Sequence, residues 1–176
     1  MKEILSFKQA ASKSLTEEQL RQVEEVEALG CNDPYSFLQL KEMFEDESVD
    51  NFICCDGDKI VGFATSKCNK RYYDGCIYII NLVVLPEYRK CGVATQLMEV
   101  MTKFYLKKCA DLYITLDVTK TNIPAVKLYQ KLGFTVPDFA TKNKGDDEMV
   151  MSQPLTNLAK NIENLKKIKV RNSCTK

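Results

Sequence analysis

Residues 86 to 95 read PEYRKCGVAT, a basic turn with small residues set between a run of strand-formers and a helix-like segment. A helix that begins near Val93 leaves its first backbone N–H groups without in-helix acceptors, and its macrodipole puts partial positive charge at the same place. Gly92 and Ala94 carry little bulk, so an anion can come close to the backbone there. Arg89 and Lys90 add two full charges. A phosphate or diphosphate is the guest such a turn suits; the plain alternative is a tight strand-to-helix connection with two surface cations. Cys91 lies in the same turn, where a helix start and neighbouring cations favour a reactive thiolate. The chain has no histidine to activate it, which also removes His-based triads, imidazole bases and an ordinary zinc site.

The segments around this turn define what must hold it. GCIYIINLVVLP, rich in Ile and Val and closed by Pro86, reads as a strand buried on both faces. After the turn, Val93, Leu97, Val100, Met101 and Phe104 recur at helical spacing. LYITLDV (Leu112 to Val118) is a further strand, and IPAVKLYQKLGF a short helix with Pro124 near its start and Gly133 as its C-cap. A last strand is expected around Met149 to Met151.

Upstream, SLTEEQLRQVEEVEAL opens with a capping box of Thr16 and Gln19; Leu20, Val23 and Val26 form its apolar stripe, with Glu24, Glu25 and Glu27 flanking it. A second helix follows Pro34, with Phe37, Leu40 and Phe44 inward. NFICCDGDKIVGFATSK reads as a hairpin turning at Asp56-Gly57. The order is two helices, a hairpin, a strand, a helix, a strand, a helix and a strand. That is a single mixed α/β domain with parallel pairing around the central strand–helix–strand unit.

Length and composition agree: 176 residues, 45% apolar and 28% charged, suit one core and a short tail. The net charge of +1 gives no global case for nucleic acid. It hides a gradient, because residues 1–50 carry twelve acids against five bases and residues 151–176 one acid against six bases. Two solvated faces would explain this; so would separate duties, with Lys166, Lys167, Lys169 and Arg171 of the tail docking a partner or a nucleic acid. No apolar run approaches the ~20 residues of a membrane span. The N-terminus lacks the long apolar stretch of a signal peptide, and the eight scattered cysteines contain no Cys-x-x-Cys pair. Reduced thiols and a cytoplasmic protein are expected.

Arg89-x-x-Gly92-x-Ala94, after NLVVLPEY, resembles the acyl-CoA signature of the GNAT superfamily of acetyl-CoA-dependent N-acetyltransferases. LDVTKTNIPAVKLYQKLGF resembles the family's next strand and helix, in the family's order and spacing. The resemblance covers roughly Glu3 to Leu155, so residues 1–155 are taken as a GNAT-like domain with a central mixed sheet and flanking helices, and 156–176 as a basic C-terminal tail.

What the resemblance implies is specific. Arg89 and the amides from Lys90 through Cys91, Gly92, Val93 and Ala94 to Thr95 would bind the CoA diphosphate. Backbone groups of Leu82, Val83 and Val84 would pair with pantetheine. Asn122 would hydrogen-bond the donor, or cap its helix, or both. Tyr129 matches the residue that protonates the departing thiolate; with reference pKa values of about 8.5 for a thiol and about 10 for a phenol, that transfer is not steep. Its other reading is a core aromatic. Asp117 matches a strand position where some relatives carry a Glu base, and otherwise reads as a strand-end acid. Other relatives place a carboxylate late in the preceding strand, where this chain has Ile79, Ile80 and Asn81, which leaves ordered water or Tyr78 as further candidates.

The acceptor would be a primary amine, small and cationic or on a peptide or protein, steered by the acidic N-terminal portion with Glu42, Glu45, Asp46 and Glu47. No membrane or nucleic-acid partner is expected, and the chain would be a monomer or homodimer. The competing class is a catalytically silent acyl-CoA-binding sensor or scaffold.

Overall fold

The computed structural model describes residues 5–11, 14–69, 76–108, 110–138 and 147–173, and the side chains among them except those of 69 and 168–173. Among the described residues there are six strands: β1 (Ser6–Ala10), β2 (Val49–Asp56), β3 (Lys59–Asn69), β4 (Cys76–Val84), β5 (Tyr113–Thr119) and β6 (Glu148–Pro154). They are ordered β1-β2-β3-β4-β5-β6 in one mixed sheet. Five α-helices accompany them: α1 (Glu17–Gly30), α2 (Phe37–Glu45), α3 (Val93–Lys108), α4 (Ile123–Lys131) and α5 (Leu155–Ser173).

Two compact units divide the chain. The first comprises Met1–Cys68 and Ile79–Met101. Here β1, β2 and β3 form an antiparallel meander, and α1 and α2 each begin with a capping box, Thr16 with Gln19 and Ser36 with Gln39. Both boxes satisfy two otherwise orphaned amides at a helix start. Leu20, Val23, Val26, Leu40 and Phe44 are buried, and Phe44 meets Phe63 of β3 edge to face at 5.9 Å. Phe37, expected inward, is only half-buried, and the Arg21 guanidinium lies 3.8 Å over its ring.

The second unit comprises Asn69–Tyr78 and Thr102–Lys176. β5 and β6 pair antiparallel from Tyr113↔Pro154 to Thr119↔Glu148. Ile114, Leu116, Leu132, Phe134, Met151, Leu155, Leu158 and Ile162 are buried in this unit. The C-terminal segment, expected as a tail, runs as helix α5 through Ser173, and its apolar stripe is covered at Leu155, Leu158 and Ile162. Lys166 and Lys167 are exposed on it; the side chains of Lys169 and Arg171 lie outside the described residues.

The fold changes three further expectations of the sequence pattern. β1 was missed: it is a five-residue edge strand in which only Ala10 is buried, so no alternation marks it. The hairpin turns at Gly57-Asp58 rather than Asp56-Gly57, since Asp56 pairs with Lys59 and Gly57 takes the first loop position at φ 58°. β4 is not fully buried on both faces: Ile77, Ile79, Asn81 and Val83 are buried, whereas Tyr78, Ile80 and Leu82, of opposite parity, are half-buried in the middle of the strand, between buried Cys76 and Val84 at its ends. One side of the strand is thus only partly covered over its middle residues.

Candidate active site

The first unit carries the basic turn. β4 ends at Val84, Leu85 N–H donates to the Val61 carbonyl at 3.0 Å, and residues Pro86–Tyr88 form one 3-10 turn. Lys90 and Gly92 both take positive φ, 62° and 93°. For a lysine this left-handed conformation costs about 1–2 kcal/mol and is tolerated only where the surroundings enforce it, which is commonest at ligand clamps. Gln96 N–H reaches Gly92 O at 3.1 Å. The amides of Val93, Ala94 and Thr95 come before this bond in the helix, so none of them has an in-helix acceptor. Successive amides in such a turn form an anion-binding concavity.

Three supports hold the turn from below. Tyr88 Oη donates to Asp56 Oδ2 at 2.7 Å, which ties the turn to the β2–β3 loop. Lys59 and Glu87 pair at 3.5 Å on the surface. At Gly62 of β3, an added Cβ would lie 3.0 Å from Val83 O and 3.3 Å from Val93 Cγ1. A side chain there would push on both the end of β4 and the start of α3.

Arg89, Lys90 and Cys91 are exposed, Val93 is buried, and Gly92, Ala94 and Thr95 are half-buried. The structure thus brings together the whole predicted run from Arg89 to Thr95. Leu82 is half-buried, Val83 and Val84 buried. The Val84 carbonyl already accepts from Arg89 Nε at 3.1 Å, and Arg89 Nη2 donates to Gly30 O, also at 3.1 Å.

One buried polar cluster in this unit escaped the sequence reading. Glu27, expected on the solvated flank of α1, is 1% exposed. Its carboxylate accepts from Tyr35 N–H at 3.4 Å and from Asn81 Nδ2 at 3.3 and 3.5 Å, and from the Cys31 thiol. Asn81 Oδ1 in turn accepts from Thr65 Oγ1 at 2.9 Å. Burial pushes the Glu27 carboxyl above its ordinary range, and these hydrogen bonds only partly oppose it. Burial, with the Glu27 charge beside it, pushes the Cys31 thiol up to about 12. The signal was in the spacing: Glu27 lies seven residues after Leu20 and four after Val23, on the stripe itself. Of the acidic cluster, Asp46 pairs with Lys67 at 3.4 Å, and hydrogen bonds from Ser48 hold its carboxyl below the usual range.

The second unit carries the proton-handling candidates. Tyr78 Oη donates to Asp117 Oδ2 at 2.8 Å, and both residues are half-buried. Asp117 stands on β5 opposite Val150 of β6. A carboxylate holding a phenol in this way can take a proton while the phenol orients it. Tyr129 is buried on α4, edge to face with Phe134 at 5.7 Å. Asn122 is the N-cap of α4 and accepts from Ala125 N–H at 3.3 Å, so the capping role holds. The far end of α4 is fixed just as firmly. Gly133 takes φ 92°, and the Leu132 carbonyl accepts from Gln153 Nε2 at 3.0 Å and Asn161 Nδ2 at 3.1 Å. Tyr129 is therefore carried on a helix anchored at both ends. Among the described residues no group of acidic and thiol side chains is arranged to hold a metal, and no helix is long and apolar enough to cross a membrane.

Comparisons with known proteins bear on this arrangement. The sequence profile of the Acetyltransferase (GNAT) family matches residues 14–134. An N-alpha-acetyltransferase of Saccharolobus solfataricus is 34% identical over 80 residues, which are 44% of this chain and 48% of that protein. An aminoglycoside N(6')-acetyltransferase type 1 of Salmonella typhimurium is 27% identical over 100 residues, covering 53% of this chain and 68% of that one. With the archaeal enzyme, the match therefore spans about half the relative's length. The crystal structure of NAA60 of Arabidopsis thaliana in complex with acetyl-CoA has the same fold, with a TM-score of 0.67, 18% identity, and coverage of 85% of this chain and 98% of that one. The matched span runs from before α1 to Phe134 and takes in both the basic turn and α4, and on that extent the chain belongs to the GNAT family of acetyltransferases.

Proposed function

We propose that the chain is an N-acetyltransferase that moves the acetyl group of acetyl-CoA to a primary amine, either a small cationic amine or a protein amine, by direct transfer with both substrates bound. The observation that carries this reading is the Arg89–Thr95 turn within the family span. Its left-handed Lys90 and Gly92 and its helix-start amides suit a diphosphate. The names of the archaeal and Salmonella relatives support an amine acceptor of either kind.

In this reading Lys90 to Thr95 hold the diphosphate, with Arg89 beside them. Leu82 to Val84 offer backbone groups to pantetheine, and Asn122 adds a hydrogen bond. Bound acetyl-CoA supplies a thioester carbonyl for the amine nitrogen to attack. Asp117, oriented by Tyr78, takes the proton that the ammonium must lose. Tyr129 gives its phenolic proton to the sulfur as the carbon–sulfur bond breaks. Cys91 takes no covalent part. The acidic residues of the first 50 positions attract cationic acceptors. The catalytic domain takes in residues 1–155 together with the packed start of α5, whose Leu158 and Ile162 are buried and whose Asn161 anchors α4. The exposed basic part beyond forms an extension, and the six described free thiols suit a reducing, cytoplasmic setting.

CoA release over a panel of amines, for the native protein and Tyr129→Phe, tests the reading. Turnover that falls in the variant with donor affinity kept supports it. Calorimetric binding of acetyl-CoA with no release on any acceptor points instead to an acyl-CoA sensor, and no binding at all removes both.

A further inference from the structure

The signature arginine is committed to protein. Arg89 spends two of its five N–H donors on main-chain carbonyls, Val84 O at the end of β4 and Gly30 O at the end of α1. Gly30 closes α1, whose last carbonyls lack in-helix donors and whose last turn holds no basic residue of its own. A guanidinium placed there satisfies an orphan carbonyl and complements the negative end of the helix dipole. The fit is close, because a Cβ on Gly30 would collide with Val83 Cγ1.

One turn earlier on α1, Glu27 faces the opposite task. Its buried carboxylate gathers Tyr35 N–H, the Cys31 thiol and Asn81 Nδ2. These donors come from the Cys31–Ser36 connection and from β4. A buried carboxylate without a cation is costly unless its oxygens are hydrogen-bonded, so it persists where it fixes one arrangement of its donors. Thus the same end of α1 is gripped twice, by a cation from the basic turn and by its own anion reaching the connection beyond.

We infer that Arg89 and Glu27 are positioning residues, a clamp on the C-terminal end of α1 that holds the Lys90–Thr95 turn and the Cys31–Ser36 connection in one fixed arrangement before any donor binds. Arg89 acts on the donor through the backbone it braces rather than as a counter-ion to phosphate. The effect on acetyl-CoA rests on the function proposed above; the pre-formed arrangement does not.

Two readouts separate these roles. Arg89→Lys keeps the charge but loses the planar fork. It is expected to weaken acetyl-CoA binding by calorimetry about tenfold, nearly as much as Arg89→Gln, while kcat at saturating donor changes less than about threefold. Without donor, amide hydrogen exchange of residues 28–36 and 90–95 should quicken in both variants. Glu27→Gln, nearly isosteric, should quicken exchange at Tyr35 and its neighbours. Native-like exchange in all three donor-free variants overturns the clamp, as does Arg89→Lys binding donor like the native protein while Arg89→Gln does not. Absence of acetyl-CoA binding by the native protein would sink the proposed function, and donor-free exchange would still decide the clamp.

Discussion

The two compact units do their work with different parts of the polypeptide. In the first, the features that suit an anion are main-chain: bare amides at the start of α3 and left-handed Lys90 and Gly92, braced by a guanidinium bound to carbonyls. In the second, the candidates are side chains: the Tyr78 phenol on the Asp117 carboxylate, and Tyr129 on its anchored helix. A backbone site is set by local conformation, so its integrity depends on glycines and braces. A side-chain site is set by which strands and helices bring distant residues together. Substitutions should therefore fail differently in the two.

The largest effects should come from opposing failures. Gly92→Val forces a β-branched residue to φ 93° and should weaken acetyl-CoA binding by about a hundredfold, by strain of about 1–3 kcal/mol plus lost amide geometry. Asp117→Asn should lower kcat about a hundredfold with donor affinity unchanged, since it removes a proton acceptor and nothing that grips a diphosphate. Calorimetry beside single-turnover rates checks both, and a variant that moves the wrong quantity breaks the division.

Smaller, and confined to the second unit, is Gly133→Ala. The residue is at φ 92°, and a Cβ there would run into Asn161 Nδ2. A loss of about 1–3 kcal/mol in urea unfolding is expected. A neutral result would mean that α4 does not need its C-terminal anchor.

The subtlest is the pH profile of the first unit. The folded pKa of Glu27 is raised above its ordinary 4.5, chiefly by burial. Its contribution to stability is therefore whole below that value and is lost as pH rises through the folded pKa. Glu27→Gln has no such titration. The stability of the native protein relative to this variant should decline as pH climbs from about 4.5, the unfolded reference. Urea unfolding of both proteins across pH measures it; a native protein that gains stability relative to the variant as pH rises contradicts the assigned direction.

How much could be read from the chain alone follows the same division. The capping box of α1, the Gly133 cap and the basic turn are local, and each was legible because a few adjacent residues dictate it. Gly57 was seen as a turn glycine, but the one-residue register needed the pairing of Asp56 with Lys59. β1 has neither alternation nor β-branched residues, so only its partner β2 makes it a strand. The Tyr78–Asp117 hydrogen bond joins residues 39 apart, and no spacing rule connects them. Glu27 was misplaced because an acid among acids reads as surface, although its position on the apolar stripe said otherwise. Arg89 was seen as a charge for a ligand; that its fork is turned on two carbonyls could be learned only from the fold.

Gln153 and Asn161 both donate to the Leu132 carbonyl. On the ribosome, the first unit is complete in sequence once Met101 has been added, and it can consolidate while translation continues. Helix α4 has no such freedom, because its terminal acceptor waits for donors made 21 and 29 residues later. A nascent chain that ends between Pro154 and Asn161 would therefore hold the whole candidate anion turn but only one of the two side-chain donors to Leu132.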